Sequence, residues 1–141
     1  MTQGEGTGVS LMTSGVEQRS IWPDVVSEDA PALRDWLLEL GFSLDLQLEG
    51  DDGKAIHHAQ LDWPDGGRIA LSSAGERNTP CRPGTTWQHV VCRDPDAVWA
   101  KAQSLAARVV HPIRDITDYP SREFTIADPD GNYWTFATFA G

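Results

Sequence analysis

The same short pattern of residues occurs twice in this 141-residue chain, at a constant separation of 65 residues. The pattern W-x-x-V-V-x-x-D-x-x-A begins at Trp22 and again at Trp87. The related pairs are Trp22/Trp87, Val25/Val90, Val26/Val91, Asp29/Asp94, Ala32/Ala97, Leu40/Leu105, Pro64/Pro129, Asp65/Asp130 and Gly66/Gly131. An offset that holds from the first predicted strand to the last predicted turn indicates an internal duplication.

Each copy of the repeat predicts one strand, one helix and three further strands. In the first copy the strands are predicted over 22–26, 42–48, 55–61 and 68–72, and the helix opens at 28–31 and ends at Gly41. In the second copy the strands are predicted over 87–92, from 109–110, over 122–127 and over 133–139, with a helix from 94 to about 107 and a loop over 114–120. The predicted fold class is α+β, with two tandem βαβββ modules.

The predicted modules cover residues 20–72 and 86–139, joined by a polar linker over 73–85, and together form one domain over 20–141. Residues 1–19 are rich in Gly, Ser and Thr and predict a flexible tail, in which Met12 offers an alternative start. One helix covers only one face of a four-stranded sheet. The other face stays open unless the second module or a second chain completes a concave surface, which is the default ligand site.

Charge and cysteine content narrow the classes of partner. A net charge of −10 argues against nucleic acid, and it either attracts a cationic ligand or serves solubility alone. Cys81 and Cys92 lack C-x-x-C spacing, so we expect free thiols in a reducing cytoplasm rather than a disulfide or zinc site. The sequence shows neither a secretory signal pattern nor a long apolar run, so no membrane association is expected.

Several segments resemble one known family. Segment 29–37 (DAPALRDWL) is similar to the first helix of glyoxalase/bleomycin-resistance proteins, and segment 58–61 (HAQL) to their third strand. Segments 119–124 (YPSREF) and 128–136 (DPDGNYWTF) are similar to the family's closing hairpin. The chain thus resembles the vicinal oxygen chelate superfamily from about Ile21 to Phe139. The resemblance implies paired βαβββ modules around a cleft and a homodimer.

Metal-dependent members of that superfamily carry His and Glu ligands in the first and last strands of each module. The repeat register places these positions at Trp22 and Trp87, and at Ala70 and Thr135. Trp and Ala cannot ligate a divalent ion, and a lone Thr hydroxyl is a poor ligand. A register shift of two residues would bring in Asp24 and His89, but the last strands would still lack ligands. We therefore predict no metal and no cofactor, and expect no glyoxalase I, extradiol dioxygenase or metal-dependent fosfomycin-resistance activity.

Strand alternation assigns residues to the predicted cleft. Two indoles there suit stacking or cation–π contact with a flat ligand, or they simply fill the space of a lost metal and substrate. The predicted ligand-binding residues are Trp22, Trp87, His89, Arg68, Tyr133, Thr135, Arg122 and Tyr119. The acid–base candidates are His89, His58, Glu123 and Asp24, each with an ordinary structural role as the alternative. Ile69, Leu71, Trp134 and Phe136 are expected under the helices, and Trp36, Trp63 and Trp99 in the core or an interface.

Three functions remain open at this point. The first is a protein that sequesters a small aromatic compound, such as a cationic antibiotic or metabolite, without metal. The second is a metal-independent isomerase or lyase that uses His, Asp or Glu side chains in the same cleft. The third is a structural or interaction module whose cleft has collapsed, with the two Trp side chains packed against each other.

Overall fold

A computed structural model describes residues 20–141, and the tail predicted over 1–19 lies outside the described residues. The first module contains β1 (Asp24–Ser27), α1 (Ala30–Leu40), β2 (Ser43–Glu49), β3 (Ile56–Asp62) and β4 (Arg68–Ser73). The second contains β5 (Trp87–Val91), α2 (Pro95–Ser104), β6 (Arg108–Ile116), β7 (Ser121–Ala127) and β8 (Tyr133–Ala137). The predicted α+β fold of two tandem βαβββ modules is confirmed.

Each module forms its own four-stranded mixed sheet, with the strand order β1-β4-β3-β2 in the first and β5-β8-β7-β6 in the second. The first strand of each module pairs in parallel with the last, and Asp24 lies opposite Ala70 as His89 lies opposite Thr135. The remaining pairs are antiparallel. The two pairs of partners differ by the repeat offset, so the duplication in sequence is a duplication in register.

Both helices begin in the same way. The carboxylates of Asp29 and Asp94 accept a hydrogen bond from the backbone N–H three residues later, each at 3.2 Å, and a proline follows in the first turn. Such caps satisfy N–H groups that the helix itself leaves unpaired. Helix α1 ends at Gly41, whose φ of 126° lies in a region that residues with a Cβ rarely adopt.

A single apolar core joins the helix-covered faces of the two sheets, here called the helix faces. Ile69, Leu71, Trp134 and Phe136 lie in this core, as the strand alternation predicted. The aromatic side chains cross between modules: the Trp36 ring lies 6.4 Å from that of Trp134, and Trp63 lies 5.6 Å from Phe136. The opposite sheet surfaces, here called the open faces, carry the polar and exposed residues considered below.

The two modules are also held together by their β-turns. The Asp65 carboxylate accepts a hydrogen bond from the backbone N–H of Arg93 at 3.2 Å and pairs with its guanidinium at 3.0 Å. The Asp130 carboxylate accepts hydrogen bonds from the backbone N–H of Glu28, at 2.9 Å, and from the Ser27 hydroxyl. Both members of each pair differ by 65 residues, so each module's turn holds the strand–helix corner of the other.

We expect Asp130→Ala to lower the free energy of unfolding by about 1–3 kcal/mol, because two charge-assisted hydrogen bonds between modules are lost. Asp65→Ala should cost less, about 1 kcal/mol, since its guanidinium partner is exposed. Urea denaturation measures both. Asp51→Ala, in an exposed turn of the first module, is the matched control and should leave the midpoint unchanged. Equal midpoints for Asp130→Ala and the control would contradict the structural role of these contacts.

Strand β6 departs most from the sequence prediction. It extends to Ile116, so the loop predicted from residue 114 was wrong over its first three residues. Pro112 and irregularities on either side of His111 interrupt the pairing without ending the strand. Other differences are a first strand that starts at Asp24, a second helix that ends at Ser104 and a last strand that ends at Ala137.

Both cysteines are free thiols, as predicted. Cys81 is exposed, whereas Cys92 is buried. Burial raises the pKa of the Cys92 thiol to about 12, so it stays protonated at neutral pH and is a poor nucleophile. Within residues 20–141, neither helix is long and apolar enough to cross a bilayer.

Candidate ligand-binding site

A pocket of about 550 Å³ lies on the open face of the second module. All four strands of that sheet and the loop after β6 supply its walls. The lining residues are Trp87, His89, His111, Arg114, Tyr119, Glu123, Thr125 and Thr135. Five of the residues predicted from the sequence are thereby brought together, namely Trp87, His89, Tyr119, Glu123 and Thr135. The volume falls in the range of pockets that hold small molecules.

The indole of Trp87 forms one wall, and its orientation is fixed by hydrogen bonds. Its Nε1–H donates to the Thr135 hydroxyl at 2.8 Å, and that hydroxyl lies 2.7 Å from the hydroxyl of Thr125. The Tyr133 ring packs edge-on against the indole at 5.9 Å. Even so, 64% of Trp87 is exposed. A large aromatic surface that is oriented but uncovered is suited to stack against a flat ligand.

Replacing Thr135 by Val tests this orientation, because Val keeps the shape but cannot accept the indole N–H. We expect Thr135→Val to shift the Trp87 fluorescence and to weaken ligand binding about threefold to tenfold, in line with the loss of one hydrogen bond. Thr135→Ser retains the hydroxyl and serves as the control. If the Val and Ser variants bind equally, the hydrogen bond does not position the indole.

Glu123 is held in place on the opposite wall. Its Oε1 accepts hydrogen bonds from the Tyr119 hydroxyl at 3.1 Å and from the Ser121 hydroxyl at 2.9 Å. Burial and the nearby carboxylate raise the pKa of Tyr119, so its hydroxyl stays protonated and continues to donate. Tyr119 also packs against Phe139 at 5.0 Å. The pocket therefore has one well-positioned carboxylate.

The open face of the first module is filled by its own polar network. His58 lies 3.0 Å from Gln60 Nε2 and 3.1 Å from Arg77 Nη1, so both of its ring nitrogens have neighbours. Asp24 accepts hydrogen bonds from Ser72 and Arg77 at 3.2 and 3.0 Å. The predicted acid–base candidates His58 and Asp24 thus lie together, in a network away from the pocket around Trp87.

Trp22 and Arg68 also lie in the first module. The Arg68 guanidinium stands 5.7 Å from the centre of the Trp22 ring and pairs with Asp62 at 2.7 Å and Asp45 at 2.8 Å. The hydrogen bond to Asp62 raises the pKa of Arg68. Trp22 packs on a cation of its own chain and Trp87 on Tyr133. The described residues therefore do not place the two indoles in one pocket, and they do not show the collapsed pair of the third hypothesis.

Arg122 lies on the other side of the sheet from the pocket. It ion-pairs with Asp96 of α2 at 3.0 Å and with Asp115 at 3.2 Å, and these contacts raise its pKa. Neighbouring strand residues point to opposite faces, so Arg122 and Glu123 cannot both enter the pocket. The core position of Phe124 places Arg122 on the helix face.

Three pocket residues were not predicted, namely His111, Arg114 and Thr125. Two of them lie on β6, which the sequence reading ended too early. The repeat contained the missing signal, because residues 108–114 are the offset equivalents of β2, Ser43–Glu49. Applying the offset to the whole strand would have extended β6 through Arg114 and placed His111 opposite Thr125, its observed partner.

The superfamily's metal-ligand positions do not fit a metal in this chain. In the second module these positions are Trp87 and Thr135, which hydrogen-bond to each other. In the first they are Trp22 and Ala70, which offer no ligand atom. Across residues 20–141, no three His, Cys, Asp or Glu side chains converge as a metal site would require. We derive no chemistry through a metal here.

A family model of the Glyoxalase/Bleomycin resistance protein/Dioxygenase superfamily matches residues 21–136. The chain belongs to this superfamily. The match spans both modules from Ile21 through Phe136, so it covers the pocket and the two strands that carry Trp87 and Thr135. No curated protein matches the sequence closely enough to assign a function.

Solved structures of this superfamily share the fold. TioX from Micromonospora sp. ML1 is 26% identical, covers 84% of this chain and 97% of its own, and superposes with a TM-score of 0.66. A glyoxalase/bleomycin resistance protein from Streptomyces sp. CB03234 is 23% identical over 82% and 96% of the two chains, with a TM-score of 0.62. A bleomycin-binding protein in complex with bleomycin is 13% identical over 86% and 99%, with a TM-score of 0.60.

Proposed function

We propose that this protein binds and sequesters a flat aromatic small molecule, such as an antibiotic or metabolite, without a metal. The observation that carries the proposal is the Trp87 indole, which is fixed by Thr135 yet 64% exposed at the wall of a 550 Å³ pocket. An exposed aromatic surface of this kind is costly unless something covers it. The bleomycin complex formed by one structural relative supports the ligand class.

We further propose that a second copy of the chain completes the pocket. The open faces expose large apolar side chains on both modules, with Leu46 at 40%, Leu48 at 50% and Trp87 at 64% exposure. The pocket walls come from the second module alone, so one side has no cover from the described chain. The open face of a partner's first module would bring Leu46, Leu48 and Trp22 over the ligand. This two-fold arrangement uses the same two surfaces twice.

The first experiment is a titration of tryptophan fluorescence with bleomycin and other flat aromatic compounds, cationic and neutral, with EDTA present throughout. Saturable quenching supports metal-free binding beside Trp87, and a compound recovered unchanged supports sequestration. Light scattering on the same samples should give a mass of twice 15.5 kDa. A monomeric mass would contradict the dimer, and stoichiometric metal recovered from the purified protein would contradict the metal-free site.

The preference for a cationic ligand rests on the net charge of −10 and stays a prediction. Glu123 is the carboxylate that lines the pocket and would receive a cationic group. A cytoplasmic location and the absence of nucleic-acid partners likewise stay predictions from composition.

The presence of His89 and Glu123 in one pocket favours a second candidate, a metal-independent isomerase or lyase. Under this alternative one group removes a proton from the bound compound and the other returns it. His89→Ala should then abolish turnover while it leaves binding intact. A compound that is bound but recovered unchanged from the unmodified protein rules out this candidate for that compound.

A further inference from the structure

The polar groups in the pocket differ in whether the protein already uses them. Trp87, Thr125 and Thr135 hydrogen-bond to one another, and Glu123 accepts from Tyr119. By contrast, within residues 20–141 the side chains of Arg114, His89 and His111 form no hydrogen bond or ion pair. The unused groups are thus one permanent cation and two imidazoles.

Arg114 is unusual because an acidic partner is close at hand. Glu123 is its direct cross-strand neighbour, yet the Glu123 carboxylate bonds to Tyr119 and Ser121 instead. One residue earlier on β7, Arg122 pairs with Asp115 across the same two strands. The structure therefore leaves a guanidinium unpaired at the pocket wall while it pairs the guanidinium on the opposite sheet face.

We infer that the ligand carries an acidic group, a carboxylate or a phosphoryl group, that Arg114 binds while the aromatic part stacks on Trp87. A guanidinium presents five N–H donors in a planar fork that matches two oxygens of such a group. His111, one β6 position nearer the start of the strand, and His89, on β5, line the same pocket and add further N–H donors. This inference rests on the proposed function and narrows it to aromatic acids.

The acidic net charge of the chain does not oppose this inference. Charges farther apart than about 8 Å are largely screened at physiological ionic strength. The local balance within the pocket therefore decides, and there Glu123 is already shared by two hydroxyl donors. A bound acidic group would have Arg114 as its nearest partner, in the geometry of a charge-assisted hydrogen bond.

Isothermal titration with four naphthalene compounds tests the inference on the full-length protein in EDTA and 150 mM NaCl. The compounds are 2-naphthoate, 2-naphthyl phosphate, 2-naphthamide and 2-naphthylmethylamine. We expect at least one acid to bind about tenfold or more tightly than the amide, as a charge-assisted pair would give. The stronger of the two acids identifies the carboxylate or the phosphoryl group as the better fit.

Arg114→Gln should remove the advantage of the acid and leave amide binding unchanged. The matched control is Arg108→Gln on the same strand, which lines a different cavity beside Trp36 and should change neither affinity. Equal binding of acid and amide, tightest binding of the amine, or an unaltered Arg114→Gln profile would overturn the inference. Binding of the amide that still depends on Trp87 would in those cases uphold the proposed function. If no naphthyl compound binds, both proposals fail.

Discussion

Replacing Asp128 by Ala should lower the free energy of unfolding by about 3–5 kcal/mol, a large part of the stability of a domain this size. Asp128 is 5% exposed, and its carboxylate accepts four hydrogen bonds. Oδ1 receives the backbone N–H groups of Asp130 and Asn132 at 2.9 and 3.0 Å. Oδ2 receives the Asn132 side-chain amide at 2.8 Å and the Trp134 indole N–H at 2.9 Å.

The cost arises from what the Ala side chain leaves behind. Trp134 is fully buried, and its indole N–H would keep no acceptor in an apolar environment. Asn132 would also lose its support, although its Oδ1 holds Thr86 at the start of β5 through bonds of 3.2 and 2.8 Å. The change would therefore loosen the last hairpin and the first strand of the second module together.

Thermal and urea unfolding measure this prediction. The melting temperature should fall by roughly 10–20 °C for a loss of that size. Asp118→Ala, at an exposed loop position, is the control and should change stability by less than about 0.5 kcal/mol. Adding Trp134→Phe to the Asp128→Ala variant removes the orphaned donor, so the second change should cost less than it does alone. A loss below about 1 kcal/mol for Asp128→Ala would contradict the importance of this network.

The position of Asp128 shows how far sequence reasoning reached. The DPDGN segment predicted the turn before the last strand, because Pro and Gly restrict the backbone there. It did not predict that the first Asp of the turn accepts bonds from four donors, since three of those donors are positioned only once β8 pairs with β7. The repeat does not help either, because the equivalent residue in the first module is Trp63, whose indole N–H bonds to the Val91 carbonyl at 2.8 Å.

The candidate site shows the same division. Strand alternation assigned Trp87, His89 and Thr135 to one face, and they line one pocket. Alternation does not fix how two sheets lie relative to each other, so it could not show that Trp22 is absent from the lining of that pocket. It also cannot predict pairing within a face, which is why His58 and Asp24 read as free acid–base groups although they sit in a network with Arg77.

The second large effect is expected at Trp87. Trp87→Ala should weaken binding of the aromatic ligand about 10- to 100-fold, the loss that follows when a central aromatic contact is removed from a binding site. The change should lower the free energy of unfolding by less than about 1 kcal/mol, because the side chain is exposed and Thr135 keeps its contact with Thr125. A loss of binding in a protein of normal stability is the result that separates a ligand contact from a structural residue.

Trp87→Phe is the informative comparison. Phe keeps an aromatic face but cannot donate to Thr135, so binding should fall to a level between the unmodified protein and the Ala variant. Trp22→Ala extends the test to the proposed dimer. If a partner's first module covers the pocket, this variant should also weaken binding, although Trp22 is absent from the pocket lining of its own chain. If Trp87→Ala binds as the unmodified protein does, the ligand does not stack at this pocket and the proposed site is wrong. If only Trp22→Ala binds normally, the pocket is complete within one chain and the dimer plays no part in recognition.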